Sequence, residues 1–223
     1  MAVLKDFTIR LPDSKNRDFP VIAAKIALPE GAELSWGTTI RFEDGIQAFI
    51  TVDRRFLEIV NGYTIEECYS QYTGKSLNFL EKHRHAQFNV YAYRTIIDGC
   101  SVGTRLTFRD VEDGQIKDLC TYWNYSLQVM NSEQLINEAA VAEGGMITTD
   151  YCSEVFRVRG NLHGILEQVI SRVLLETEFS RIHSRIADIS KEVKKEFISR
   201  GGYTATGFTL QAFTLGNIEL AQD

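Results

Sequence analysis

The sequence has few of the features by which common protein classes are recognised. It contains only 3 prolines in 223 residues, which excludes a proline-rich linker. Its 4 cysteines are far apart and form no CxxC pair, unlike the cysteines of disulfide-rich secreted domains or zinc sites. We therefore expect reduced thiols in a cytoplasmic protein. The cysteines are Cys68, Cys100, Cys120 and Cys152.

Long apolar runs and an excess of positive charge are also absent. No stretch approaches the roughly 20 apolar residues that cross a bilayer, and the N-terminus becomes polar too early for a signal peptide. Any membrane contact is therefore expected at the membrane surface, made by the protein itself or through a partner. With 24 basic against 30 acidic residues, the net charge of -6 indicates no nucleic-acid partner and little attraction to anionic lipid.

Metal-binding patterns are incomplete. His83 and His85 form an HxH pair, but no neighbouring residue supplies the third ligand that a zinc site needs, so we interpret the pair as part of a solvated basic segment. Asp110, Glu112 and Asp113 lack the terminal glutamate of a calcium loop and are interpreted as a polar hairpin tip. The sequence therefore predicts no bound metal.

Catalytic signatures are missing as well. The glycine pairs at 144–145 and 201–202 fit neither GxGxxG nor a Walker loop, and we interpret them as turns. A cysteine nucleophile needs a base and an orienting group, and no such pattern is found. His163 and His183 are isolated, and His183 lies on a charged, surface-like stretch. We predict no enzyme activity and no cofactor.

The C-terminal third carries the clearest helical pattern. Apolar residues spaced by three or four predict a helix over 185–200 with one buried face and a charged opposite face. Glycines 201 and 202 predict its end, and from Tyr203 the alternation of Phe208, Leu210 and Ala212 predicts a strand. The apolar stripe of the helix consists of Ile182, Ile186, Ile189, Val193 and Phe197.

The N-terminal half is typical of short strands separated by turns. Between Leu34 and Val60 we predict three antiparallel strands, with a hairpin turn around Asp44-Gly45. Thr64, with Glu67 three residues later, predicts the capping box of a short helix. A further strand is predicted over 88–97, followed by a turn at Asp98-Gly99.

The longest strand is predicted over 116–130, in the middle of the sheet. Alternate residues of this stretch are apolar, which indicates one buried and one exposed face. Cys120 and Tyr122 fall on the face opposite Trp123 and Tyr125, so the tyrosines and tryptophan form no common stacking platform for nucleic acid. The buried set comprises Leu119, Thr121, Trp123, Tyr125, Leu127 and Val129.

Strands followed by helices and a closing strand predict an α+β fold with a mostly antiparallel twisted sheet. The order of these elements resembles the SPFH or band-7 domain of stomatins, prohibitins and flotillins. The resemblance rests on YWNYSLQV, NSEQLI, the stretch ETEFSRIHSRIADISKEV, and the final strand ending near residues 216–218. Arg185 stands at the family's arginine before the long helix, whereas Asn131-Ser132 replaces its usual aspartate-proline helix start.

Upstream segments are similar to the soluble, virion-core-protein-like branch of that family. They are residues 32–45 with Phe49, and Gly103-Thr104 followed by Arg109-Asp110. The resemblance implies an N-terminal extension over 1–25 and an SPFH-like domain over 26–220. Within the domain it implies a strand-rich part over 26–130, a helix-rich part over 131–200 and a closing strand over 203–216.

The resemblance implies a non-enzymatic scaffold that self-associates into rings, cages or filaments, in the cytoplasm or at a membrane surface beside a membrane-associated partner. It leaves open whether the chain lacks a C-terminal coiled-coil helix through truncation or is a minimal version of the family. The expected subunit contacts are Arg185, Lys191, Lys194, Lys195, Phe208 and Leu210.

Three alternatives stay open. The first is a non-assembling adaptor that recruits a membrane-remodelling or stress-response partner. The second is a structural protein of viral or phage origin. The third is an enzyme with an unrecognised site, which needs a pocket that joins His83 or His85 to a carboxylate or a thiol.

Overall fold

The computed structural model describes residues 2–13, 20–52, 55–74 and 88–221. It confirms the predicted α+β class, with six α-helices in the described residues and mostly antiparallel strand pairs. The chain divides into two compact units. The first comprises Met1–Thr95 and Ser132–Thr148, and the second comprises Ile96–Asn131 and Thr149–Asp223.

The described part of the first unit contains nine strands and two α-helices. The strands are β1 (Ala2–Val3), β2 (Asp6–Ile9), β3 (Val21–Ile26), β4 (Ala32–Glu33), β5 (Thr39–Phe42), β6 (Ile46–Val52), β7 (Arg55–Ile59), β8 (Asn89–Arg94) and β11 (Met146–Thr148), and the helices are α1 (Ile65–Thr73) and α2 (Ser132–Val141). Five of the strands form an antiparallel sheet in the order β11-β3-β8-β6-β7. The parallel pairs β1-β4 and β2-β5 stand beside it in the same unit.

The core of the first unit is aliphatic. Ile9, Ile40, Ile50, Ile59 and Ile65 are fully buried and belong to one cluster with residues of β6, β7 and β8. Helix α1 begins at the predicted capping box, because the Thr64 hydroxyl accepts a hydrogen bond from the Glu67 N–H at 3.1 Å. The Glu67 carboxylate accepts one from the Thr64 N–H at 2.7 Å.

The hairpin predicted around Asp44-Gly45 is wrong. The chain does turn there, with Gly45 at φ +79°, but β5 pairs in parallel with β2. In the described residues β6 pairs with β7 and β8 instead. The chain therefore turns where the Asp-Gly signal indicated, but β5 pairs with the N-terminal strand β2 and not with β6.

The segment predicted as an extension over 1–25 contributes strands to the first unit. β1 pairs with β4, β2 pairs with β5, and β3 crosses the boundary predicted between residues 25 and 26. Lys5 O accepts a hydrogen bond from Thr39 N at 2.9 Å, and Leu4 O accepts one from the Thr38 hydroxyl at 2.7 Å. These bonds join the N-terminal residues to the rest of the unit.

The described part of the second unit contains three long strands and four α-helices. The strands are β9 (Ile96–Arg109), β10 (Ile116–Val129) and β12 (Phe208–Leu220), and the helices are α3 (Thr149–Val158), α4 (Leu162–Leu174), α5 (Ile186–Ser199) and α6 (Gly202–Thr206). The strands form one antiparallel sheet in the order β12-β10-β9. The predicted central position of β10 is therefore confirmed.

One face of this sheet is buried under helices. Helices α3 and α4 contact β9, whereas α5 and α6 contact β12. The predicted alternation along β10 is confirmed: Trp123, Tyr125 and Leu127 are buried, and Tyr122 on the other face is 68% exposed. A long antiparallel sheet with one solvated face explains why polar and apolar residues alternate so regularly.

Two predicted breaks differ in the structure. The turn predicted at Asp98-Gly99 is a bulge inside β9, because residues 98 and 99 together oppose Ser126 and Gly99 takes φ +75°. The closing strand predicted over 203–216 begins only at Phe208 and extends to Leu220, because residues 202–206 form the short helix α6.

Candidate functional site

Two of the four histidines lie within the described residues, and two do not. His83 and His85 lie outside the described residues. The ring of His163 forms a hydrogen bond with Thr104, with 2.7 Å between Nδ1 and Oγ1. His183 Nε2 lies 2.9 Å from Asn217 Oδ1 on the surface. Both placed histidines therefore bond to neutral side chains.

The aspartates of the acidic hairpin between β9 and β10 share a lysine of their own chain. Lys117 Nζ lies 2.5 Å from Asp110 Oδ2 and 2.8 Å from Asp113 Oδ2. These hydrogen bonds lower the pKa of both carboxyl groups and raise the pKa of Lys117 to about 12. Across the described residues no group of three or more His, Cys, Asp or Glu side chains is placed to hold a metal ion.

The cysteines are unpaired, and three of the four are buried. Burial raises the pKa of the Cys100 thiol to about 11 and also raises the pKa of Cys152. A raised pKa keeps a thiol protonated at neutral pH, whereas a nucleophile must be a thiolate. Cys120 is half-buried on the solvated face of the sheet, as its parity predicted.

The aromatic rings of β8 and β10 lie in separate units. Tyr91 and Tyr93 are buried in the first unit, where Tyr93 stacks on Phe49 with ring centroids 6.0 Å apart. Trp123 and Tyr125 are buried in the second unit. These four rings are therefore core residues.

The predicted subunit-contact residues differ in how far they are available. Phe208 and Leu210 are 2% and 1% exposed, so their side chains pack inside their own chain and that part of the prediction is corrected. Lys194 Nζ donates a hydrogen bond to the Gln211 carbonyl at 2.6 Å, which ties α5 to β12. Arg185 Nε lies 3.1 Å from Asp188 Oδ2.

Lys191 and Lys195 remain as exposed cations one helical turn apart, and neither has an ion-pair partner in the described part of the chain. We call these two residues the cationic surface. The acids around them are engaged elsewhere, since Glu192 and Glu196 pair with Arg172 of α4 at 3.6 and 3.4 Å.

A matching acidic pair lies on α3. Asp150 and Glu154 are exposed, are one helical turn apart, and make no ion pair with any described residue. We call them the acidic surface. Because α3 contacts β9 and α5 contacts β12, the two surfaces belong to opposite edges of the same three-stranded sheet. The spacing of four between Asp150 and Glu154 was a signal available in the sequence, and the sequence analysis did not use it.

The second unit also contains a cavity of about 340 Å³. Val102, Thr104, Trp123 and Tyr125 contribute the sheet side, and Ser153 and His163 are among the residues on the helical side. Burial raises the pKa of Tyr125, whose hydroxyl lies 3.2 Å from Ser153 Oγ. No local pattern reveals this site, since Thr104 and His163 are 59 positions apart.

Comparison with known proteins adds no family: no protein-family model matches this chain, and no curated protein matches it. Among the described residues, no helix is long and apolar enough to span a membrane.

Proposed function

We propose that this chain is a non-enzymatic scaffold domain that associates with further copies of itself through the second unit. The observation that carries the proposal is the pair of unmatched charged surfaces, Lys191 and Lys195 on α5 against Asp150 and Glu154 on α3. In a side-by-side arrangement the cationic surface of one copy faces the acidic surface of the next. Opposite charges at such a contact favour association and fix its orientation.

A contact between two different surfaces has a structural consequence. It is head-to-tail, so every added copy presents a new free surface of each charge. Such contacts close into rings when the rotation permits and otherwise extend into filaments. The resemblance to SPFH domains supports the same reading, because members of that family self-associate into rings and cages.

The helices are better suited to this contact than the free edge of β12. That edge is interrupted by irregularities at Gln211 and at residues 216–217, and Lys194 already bonds to the Gln211 carbonyl. Bulges of this kind are a usual protection against strand-to-strand association. The proposed contact is therefore made by side chains of α3 and α5.

Charge exchange tests the contact directly. Variant one carries Lys191→Glu and Lys195→Glu, and variant two carries Asp150→Lys and Glu154→Lys. Each alone places like charges at the contact, so we expect light scattering across a concentration series to show a much smaller mass than for the unmodified chain. Mixing the two variants restores opposite charges at every contact, so the large species is expected to return.

The matched control is Lys5→Glu with Lys25→Glu, which changes the net charge equally at two exposed lysines of the first unit. This control should assemble like the unmodified chain. A chain that stays monomeric at every concentration would overturn the proposal and favour the adaptor alternative. Assembly that survives both charge reversals would show that these surfaces do not form the contact.

A further inference from the structure

The cavity of the second unit has a buried floor and an acidic rim. Trp123, Tyr125 and Leu162 line it and are at most 4% exposed, whereas Asp150 and Glu154 line it from α3 and are exposed. The carboxylates of the acidic surface therefore stand at the entrance of the cavity. Its volume of about 340 Å³ is at the small end for ligand pockets and is large enough for one long side chain.

The imidazole of His163 adds a third possible acceptor to the lining. Its Nδ1 atom bonds to the Thr104 hydroxyl at 2.7 Å, and its Nε2 atom has no hydrogen-bond partner in the described part of the chain. When Nδ1 carries the proton and donates to Thr104, Nε2 is an acceptor. The residues that line the cavity include neither lysine nor arginine. The cavity thus presents acceptors and negative charge without a cation of its own.

This combination suits a side chain with an apolar stem and a cationic end. Val102 and Leu162 provide aliphatic walls, against which methylene groups can pack. An ammonium group has three N–H donors and no acceptor, so it matches carboxylates and an imidazole nitrogen. A lysine side chain combines the two parts, since it buries its stem along apolar surface and keeps its charged end among polar groups.

A second copy of the chain carries such side chains in a matching arrangement. Lys191 and Lys195 are exposed, and they belong to the opposite edge of the three-stranded sheet from the cavity. In the proposed head-to-tail contact, α5 of one copy therefore lies against α3 of the next. The two lysines and the two carboxylates have the same helical spacing, which places Cβ atoms about 6 Å apart in each pair.

From these observations we infer that one lysine of the cationic surface enters the cavity of the next copy. Its ammonium group donates to His163 and to one carboxylate of the acidic surface, and the other lysine pairs with the second carboxylate at the rim. The inference rests on the proposed self-association and adds a binding site to it, completed by a residue of the neighbouring copy. A contact between flat charged surfaces depends on charge alone, whereas this contact also depends on the shape of the cavity.

Filling the cavity while every charge is kept tests this dependence on shape. Val102→Trp adds a large ring to the cavity wall, and Ser101→Trp adds the same ring to the solvated face of β9 as a matched control. In light scattering across a concentration series, Val102→Trp is expected to need at least about tenfold more protein to assemble, whereas Ser101→Trp should assemble like the unmodified chain. Circular dichroism checks that both variants are folded.

Two outcomes of this experiment would overturn the inference. Unchanged assembly of Val102→Trp would show that no side chain has to enter the cavity, and the proposed contact between charged surfaces would still stand. Equal loss of assembly in Val102→Trp and Ser101→Trp would place the contact on β9 outside the cavity.

A soluble probe tests the inference on the unmodified chain, and so covers the case in which Val102→Trp fails to fold. The n-butylammonium ion has the stem and the charge of a lysine side chain, and 1-butanol has the same stem without the charge. Because salt alone weakens charge contacts, n-butylammonium chloride replaces sodium chloride at constant ionic strength. We expect at least about a fivefold loss of the assembled fraction with n-butylammonium and no loss with 1-butanol. Equal assembly in the two salts would overturn the inference.

Acetylation of individual lysines, followed by mass spectrometry, separates the inference from the proposed function. In the assembled chain, one of Lys191 and Lys195 is expected to react at least about fivefold more slowly than the other. The Asp150→Lys, Glu154→Lys variant should remove that difference, and the exposed Lys25 of the first unit serves as the reference in both proteins. Equal rates for Lys191 and Lys195 in an assembled chain would contradict the inference alone. A chain that is monomeric at every concentration would contradict the proposed function and the inference with it.

Discussion

The sheets of the two units differ in how many of their faces are buried. In the first unit, β3 and β8 each contain four consecutive buried residues, so both faces of the sheet are covered. In the second unit, β10 alternates buried and exposed residues along most of its length. A sheet covered on both faces offers packing, whereas a sheet covered on one face leaves strand edges, helix surfaces and a cavity for interaction.

The polar groups follow the same division. In the first unit, the Thr64 and Glu67 groups at the start of α1 bond to each other, and the buried Thr38 hydroxyl donates to Leu4 O. In the second unit, Trp123 Nε1 has no acceptor among the described residues, and the cationic and acidic surfaces make no ion pair with any of them. This difference is one reason for placing the proposed self-association contact in the second unit.

Of the changes predicted below, Phe197→Ala is expected to alter the stability of the second unit most. The Phe197 ring is fully buried in the second unit, and its removal leaves a cavity that costs about 3–5 kcal/mol. In a Trp36→Phe background, where Trp123 is the only tryptophan, its emission reports unfolding in urea. The urea concentration at the unfolding midpoint should fall strongly. Trp36 emission, with Trp123→Phe as background, reports the first unit and is expected to shift less.

The control for this experiment is Tyr203→Ala. Tyr203 is about half exposed, so its truncation should change the free energy of unfolding by no more than about 0.5 kcal/mol. If Trp36 and Trp123 report the same shift for Phe197→Ala, the two units unfold as one, and the contrast between them holds for structure and not for stability.

The next largest effect on stability is expected from substituting the two glycines that lie close to Tyr122. A Cβ at Gly216 would lie 2.9 Å from the Tyr122 carbonyl oxygen, which is backbone and cannot move away. A Cβ at Gly103 would lie 2.8 Å from the Tyr122 ring, which is exposed and free to rotate. We expect Gly216→Ala to cost roughly 1–3 kcal/mol and Gly103→Ala clearly less, as measured by thermal unfolding. Equal costs would show that the tyrosine ring is held in place on the solvated face.

Ser190 provides a polar test within the buried layer of the second unit. Its hydroxyl donates to Ile186 O and accepts from Leu215 N–H, each at 2.9 Å, and so joins α5 to β12. Ser190→Ala leaves the Leu215 N–H without its acceptor, which costs about 1–2 kcal/mol. The exposed Ser199, changed to alanine, is the matched control and should be nearly neutral in denaturant unfolding. A neutral Ser190→Ala would mean that water takes over the bond.

The sequence predicted the second unit better than the first because its pattern is local. Because one face of the β10 sheet is solvated, buried and exposed residues alternate along the strand, and the alternation predicted its buried side chains. The bounds of α5 were predicted within one residue. In the first unit, the hairpin at Asp44-Gly45 was predicted wrongly, since the partner of β5 is β2, more than thirty residues earlier in the chain. Periodicity carries no information about such distant pairing.

The candidate site was harder to predict than the fold. The cationic surface followed from helical spacing, whereas Thr104, Trp123 and His163 meet only because α4 packs over β9. An unpaired indole N–H is a property of three-dimensional packing, and a sequence pattern contains no trace of it. The sequence analysis placed Trp123 among the buried residues, and its ring is buried. It did not predict that the Nε1 atom has no acceptor among the described residues.

The smallest effect concerns Glu67, which tests whether the first unit is as self-contained as it looks. The backbone hydrogen bond from Thr64, followed by the side-chain bond, lowers the pKa of Glu67 below its ordinary value of 4.5. The stability that it contributes is therefore present above pH 4.5 and lost as the pH falls through the lowered folded pKa. Thermal unfolding followed by Trp36 emission should show Glu67→Gln less stable than the parent above pH 4.5, with the difference disappearing in acid. Glu66→Gln does not touch the cap and should show no such convergence, and a pH-independent difference for Glu67→Gln would mean that the charge of Glu67 is irrelevant to the cap.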